Sequence, residues 1–194
     1  MSPTPRDRVL TQIYHQETDY IPYTIRYEEC VAERLDAFYG SDEWRRRIDD
    51  AIRRVPGPRL VLIEEAADPY YTDPYGTTWR ADLRPFHLVE PALKTPSLEG
   101  FAFPHVDDLV TPAVKEEAMS FIEQHKDYFL VVGFGFGLWE RAWALRGFEN
   151  ALMDAAEPEF FDELIERVAE HQLEIVDRLL EWPVDGIMFS DDWG

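Results

Sequence analysis

The chain has 194 residues, 45% of them hydrophobic and 14% aromatic, enough for one domain with a sizeable core and too apolar for a disordered polymer. Asp and Glu outnumber Lys and Arg by 39 to 19, for a formal charge of −20, which excludes holding nucleic acid or an anionic membrane by bulk charge. A single cysteine, Cys30, excludes an intramolecular disulfide and a multi-cysteine zinc cluster, and suits a reducing compartment.

The opening Met1-Ser-Pro-Thr-Pro-Arg-Asp-Arg has no apolar core of a leader, and no later run approaches the ~20 apolar residues that cross a bilayer, so a cytoplasmic location is expected. Residues 6–16 place Val9, Leu10, Ile13 and Tyr14 on one helical stripe behind a Pro-rich entrance. Asp19 leads into a predicted short strand, Ile21 to Ile25, and helices are predicted from Glu28 to Tyr39 and from Asp42 to Arg54. Val55-Pro56-Gly57-Pro58 is a strong breaker, and the apolar run from Arg59 to Glu64 reads as a buried strand.

From Asp68 to Phe103 the texture changes to Pro, Tyr and Thr with alternating stretches, the pattern of a β-hairpin excursion. Helix returns from Pro112 to Lys126, and Tyr128 to Gly133 is a third buried strand. The Gly133-Phe-Gly-Phe-Gly137 run reads as a tight strand-to-helix turn lining a pocket; it lacks the last spacing and the Lys of a phosphate cradle. Residues 138–155 are helical with a break at Gly147, and Pro158 begins a long helix striped by Phe161, Leu164, Ile165, Val168, Ile175, Val176 and Leu179. Pro183 ends it, and Ile187-Met188-Phe189 is a fourth buried strand.

Four short buried strands separated by helices predict parallel βα units, arranged as a barrel or as an open sheet. The groups that do chemistry in such folds sit just past the carboxyl ends of the strands. The sequence given ends on such a cluster, which favours the amino-terminal half of a larger barrel.

Candidate site residues follow from those strand ends. Asp191 and Asp192 could bind a cation or a polar substrate, with crowding raising one pKa for acid–base work; alternatively Asp191 caps a helix beyond the residues given. Glu64 or Glu65, beside Tyr70 and Tyr71, suits proton transfer or else is a solvated loop start. Arg26 is placed to clamp a carboxylate, or to pair with Glu28 or Glu29. Tyr71, Phe134, Trp139 and Trp193 are pocket-wall candidates, Phe134 and Trp139 competing with a core reading. The five histidines show no ligand spacing, so no metal site is expected wholly within this chain.

Several stretches carry a resemblance: Arg8-Val9-Leu10 through Glu17 to Ile21-Pro22, Tyr75-Gly76-Thr77-Thr78-Trp79, Trp139 through Gly147, and, most specifically, Pro158 to Gly194. Together they resemble the uroporphyrinogen decarboxylase superfamily, above all its methyltransferase-like branch. The resemblance implies an α/β fold, an eight-stranded (β/α)8 TIM barrel of which this chain supplies about the first four βα units, a half barrel. It places Glu64 or Glu65 at the rough counterpart of the decarboxylases' catalytic Asp, with Glu64, Asp191, Asp192, Arg26 and Trp193 on one wall of a small-molecule pocket.

It also implies that zinc, on a His-x-Cys pair and a later Cys, and a corrinoid methyl donor belong to the full-length relatives, with no cofactor inside this chain. The expected partners are a carboxy-terminal half-barrel, a corrinoid protein or a second copy of the chain. The function implied is that of a fragment of a corrinoid- and zinc-dependent methyltransferase-like enzyme. The alternatives are uroporphyrinogen decarboxylase of porphyrin biosynthesis and a non-catalytic, self-associating half-barrel. Against the decarboxylase, Ile25-Arg26-Tyr27-Glu28-Glu29 offers one arginine and two acids where a poly-anionic tetrapyrrole needs several cations.

Overall fold

A computed structural model describes residues 2–58, 69–80, 82 and 87–192. Among these the chain is a mixed α/β protein with two three-stranded sheets, one parallel and one antiparallel.

The first helix, α1 (Pro5–Ile13), starts at a capping box in which Thr4 Oγ1 accepts from the Asp7 N–H at 3.1 Å and Asp7 accepts from the Thr4 N–H at 2.9 Å. A second helix, α2 (Glu29–Tyr39), closes on Gly40 in the left-handed conformation, φ +71°. The stretch 42–54, expected as a helix, is not one: Glu43–Arg47 makes a short 3-10 segment, and Ile52–Val55 is a strand, β1. Likewise Ile21–Ile25 forms no strand of its own; Tyr23 makes one parallel bridge to Asp50, and the Asp50 carboxylate takes the Ile25 N–H at 2.9 Å in place of a further ladder bond. The predicted strand at 59–64 lies outside the described residues.

The antiparallel sheet is β2 (Tyr70–Thr72), β3 (Thr78–Arg80) and β4 (His87–Glu90), in that order. Then come α3 (Val106–Leu109) and α4 (Pro112–Gln124), the latter capped by Thr111, whose hydroxyl accepts from the Val114 N–H. The next strand, β5 (Phe129–Phe136), runs three residues past the predicted end, so the glycine-rich run is largely strand rather than turn. It leads into α5 (Leu138–Arg146), α6 (Phe148–Asp154), the 22-residue α7 (Pro158–Leu179) and β6 (Gly186–Ser190).

The parallel sheet has the order β1-β5-β6, with Val55 opposite Val132 and Val132 opposite Ile187. One face, carrying Leu130, Val132 and Phe134, is buried in the main core with Leu164, Val168, Ile175 and Leu179 of α7. The other face is covered only low down, where Val9 of α1 packs with Ala51 and Phe129. Arg6 fixes α1 there: its Nε and Nη2 donate to Asp185 Oδ1 at 2.9 and 2.7 Å, while the other carboxylate oxygen accepts from the Leu130 N–H. Higher up the strands that face has no described helix over it, and this is where the sheet's carboxyl ends open.

Candidate functional site

Two groups of side chains mark the open end. The first is acidic and belongs to β5, α5 and β6. The Asp191 carboxylate accepts from the backbone N–H of Trp139 at 3.1 Å and of Glu140 at 2.8 Å, so it caps α5, a preceding helix reached across the sheet, where the helix dipole favours a negative charge. Gly137 makes this approach feasible: a Cβ there would lie 2.6 Å from the Asp191 carboxyl carbon. Ser190 Oγ donates to Glu140 Oε2 at 3.0 Å. Partial burial pushes the Glu140 carboxyl above its ordinary pKa, the Ser190 hydrogen bond opposes, and the charges of Asp192 and Asp191 add to the rise. Asp192 is exposed. Glu140 is thus the carboxyl here best suited to hold a proton.

The second group is cationic. Arg26, after the Tyr23 bridge, reaches β6, its Nη2 lying 3.7 Å from Met188 Sδ. Arg54 projects from β1 onto β5, where a Cβ on Gly133 would sit 2.7 Å from its Nη2. The two arginines, with Ile25, Tyr27 and Glu28, line a cleft of about 490 Å³. Desolvation, and then the charge of Arg26, pushes the Arg54 guanidinium below its ordinary pKa.

Of the other residues singled out from the sequence, Phe134 is 2% exposed and belongs to the main core, where it meets the Phe189 ring at 5.6 Å. The Trp139 side chain packs on Phe148 and Phe161, away from the Asp191 carboxylate that its own N–H binds. Tyr71 sits opposite Trp79 in the antiparallel sheet. The structure therefore forms two separate groups, one of Asp191 with Glu140 and Ser190, the other of Arg26 with Arg54. They do not gather Tyr71 or Phe134. Glu64 and Trp193 lie outside the described residues.

Behind the sheet, the antiparallel excursion, α5 and α7 meet. Asp73, its side chain fully buried, accepts from the N–H groups of Tyr75 (2.9 Å) and Thr77 (3.0 Å) and from the Trp79 indole (3.0 Å), and it sits 3.6 Å from Arg141 of α5. The Arg141 guanidinium lies 3.7 Å over the Tyr75 ring and is 1% exposed, and its nitrogens have no hydrogen-bond partner within 3.5 Å among the described residues. The Tyr75 hydroxyl meets His171 Nε2 of α7 at 3.2 Å; burial and then Arg141 depress the His171 pKa to about 4. This constellation pins the antiparallel excursion to α5 and α7. A depression of about 420 Å³, lined by Phe103, Glu163, Arg167, Glu170, His171 and Glu174, lies between α7 and the segment 98–106.

Arg54 and Glu140 were absent from the sequence-based candidates. A strand at Ile52–Val55 is the signal that brings Arg54 forward, and Glu140 is the first acid of the helix after β5. Among the described residues no three His, Cys, Asp or Glu side chains come together to hold a metal. Among the same residues no helix is long and apolar enough to cross a membrane. Compared with known proteins, the chain matches no family model, no curated protein and no solved structure.

Proposed function

We propose that this chain is the amino-terminal half of a uroporphyrinogen-decarboxylase-like (β/α)8 barrel of the methyltransferase-like branch, and that its strand-end face forms one wall of a small-molecule site completed by a second half. One observation carries the reading. From the Tyr23 bridge through β1, β5 and β6, spatial order follows chain order with every pairing parallel. An open doubly wound sheet reverses direction at a switch point and has helices on both faces, whereas a barrel progresses one way and keeps its helices outside. Helix α1 sitting across only the amino-terminal end of the inner face is compatible with a barrel floor.

In this reading Arg26 faces the substrate, and Glu140, Asp191 and Asp192 form the acidic rim. Zinc and a corrinoid methyl donor are implied by the resemblance alone, and their ligands would come from the second half. The test is zinc content and thiol methylation, measured on the chain alone and after joining it to a half-barrel that carries the His-x-Cys pair and the later Cys. Activity and zinc only in the joined form support the proposal; a joined form that stays metal-free and inactive overturns it.

A second reading, a non-catalytic half-barrel that self-associates, is favoured by Phe189, 56% exposed on the edge strand β6. A metal-free dimer unaffected by the second half would select it. Uroporphyrinogen decarboxylase itself stands third, and saturable porphyrinogen binding by the joined form would be required for it.

A further inference from the structure

The arginines of this acidic chain are mostly committed. Arg6, Arg8, Arg45, Arg53, Arg80 and Arg146 each bind an aspartate within 3.5 Å. Arg54 makes no such bond to a described residue, and the described partner of the Arg26 guanidinium is a thioether. Both nevertheless converge from different segments on one spot. Gly133 pairs with Met188 in register across β5 and β6; Arg54 lies over the Gly133 Cα, and Arg26 lies against the Met188 sulfur. Gathering two like charges, neither of them in an ion pair with a described residue although Glu28 also lines the cleft, costs free energy that a bound anion would offset.

We infer that Arg26 and Arg54 form a binding site for a dianionic oxyanion, a phosphate monoester or a dicarboxylate, seated over Gly133 and Met188. Two guanidiniums match two negative charges, and each presents paired N–H donors suited to bidentate recognition of an oxyanion. The cleft, about 490 Å³ and lined besides by Ile25 and Tyr27, leaves room for an organic body on the oxyanion. The glycine at 133 admits the Arg54 guanidinium to the sheet surface. The inference names the substrate class of the wall proposed above and rests on that reading for its place in a larger pocket, but the site itself lies wholly within this chain.

The experiment is calorimetric titration of the 194-residue chain with inorganic phosphate and with succinate, using acetate as the monoanion control. Saturable 1:1 binding of either dianion, with acetate at least about tenfold weaker, supports the site; the better ligand tells phosphate from dicarboxylate. Arg54→Gln and Arg26→Gln should each weaken binding at least about tenfold, and Gly133→Ala, which retains both charges, should weaken it severalfold by pushing Arg54 aside. Arg34→Gln on α2 changes net charge equally and should leave affinity unchanged. No saturable binding, or equal loss in the Arg34 and Arg54 variants, overturns the inference. Dianion binding with no zinc or methyl transfer in the joined form would retain this site and remove the methyltransferase reading; the converse result would remove only the site.

Discussion

Replacing Gly137 with alanine isolates the contact that holds the acidic rim together. The backbone there, φ −75° and ψ −157°, is extended and open to any residue, so alanine meets no conformational penalty. The whole cost is steric, because the new Cβ would meet the Asp191 Cγ and Oδ2 at 2.6 Å and its Cβ at 2.7 Å. Asp191 must withdraw, and the N–H groups of Trp139 and Glu140 lose their acceptor. A cap of this kind is worth about 2 kcal/mol, the upper end for helix N-termini because the acceptor is charged and serves two donors. Moving the end of β6 adds about 1 kcal/mol of packing strain, so Gly137→Ala should cost about 3 kcal/mol.

Asp191→Gly loses the same cap and adds chain entropy, again about 3 kcal/mol. In that background the methyl group introduced by Gly137→Ala has no carboxylate to strike, so the double variant should also cost about 3 kcal/mol rather than about 6 kcal/mol. Urea denaturation followed by far-ultraviolet circular dichroism, with unchanged slope, reads all three values. Additive costs, or a Gly137→Ala variant within about 0.5 kcal/mol of the parent, would refute the reasoning.

Asp73→Ala should destabilise by about 3–5 kcal/mol, because it strands the buried Arg141 charge and unpairs three donors; Arg141→Met should cost clearly less, since Asp73 keeps its three N–H donors. Denaturation midpoints decide this, and a larger loss for Arg141→Met would be the contrary result. His171 titrates at about pH 4 in the fold against an ordinary value near 6.5. The unfolded chain therefore takes up the proton first, and the stability that neutral His171 contributes is intact above about pH 6.5 and drains away as pH falls towards 4. The stability difference between parent and His171→Gln should narrow across that window, and a constant difference would exclude the titration.

The elements visible in the sequence are those with long, regular signals. The α7 stripe, the breaker at Pro183 and the apolar runs of β5 and β6 each specify a structure locally. The stretch 42–54 misled because its arginines favour helix by propensity, and a four-residue strand carrying two of them shows no apolar run. Tertiary pairing overrides that preference: Ile52 to Val55 align with Phe129 to Val132, and the Arg53 guanidinium lies 4.5 Å over the Tyr128 ring, so its stem serves as cover rather than as a solvated charge. The meeting of Asp73 with Arg141 joins residues far apart in the chain and depends on how the antiparallel excursion docks, which no local pattern encodes. His171 and Gln172 interrupt an apolar stripe for the same reason, Gln172 donating to the carbonyls of Phe136 and Gly137 where β5 ends.

The glycines of β5 and the residue after it show why the strand-end site was partly visible and partly hidden. Their spacing suggested a turn, yet two of them leave out a side chain for a specific neighbour: Gly133 for the guanidinium of Arg54 on β1, and Gly137 for the carboxylate of Asp191 after β6. Between them Gly135, at φ +91°, accompanies the register shift that carries Phe136 opposite Ser190. The middle strand thus contributes room rather than functional groups, and the charges come from the strands on either side. A glycine-rich strand end flanked by strands that carry arginine on one side and aspartate on the other can hold a cationic and an acidic group within a few residues of each other without forcing them to pair. That separation keeps Arg54 available to an external anion while Asp191 is engaged by α5. It also makes the two halves of the site separately testable, since Gly133→Ala should disturb the cationic half alone and Gly137→Ala the acidic half alone.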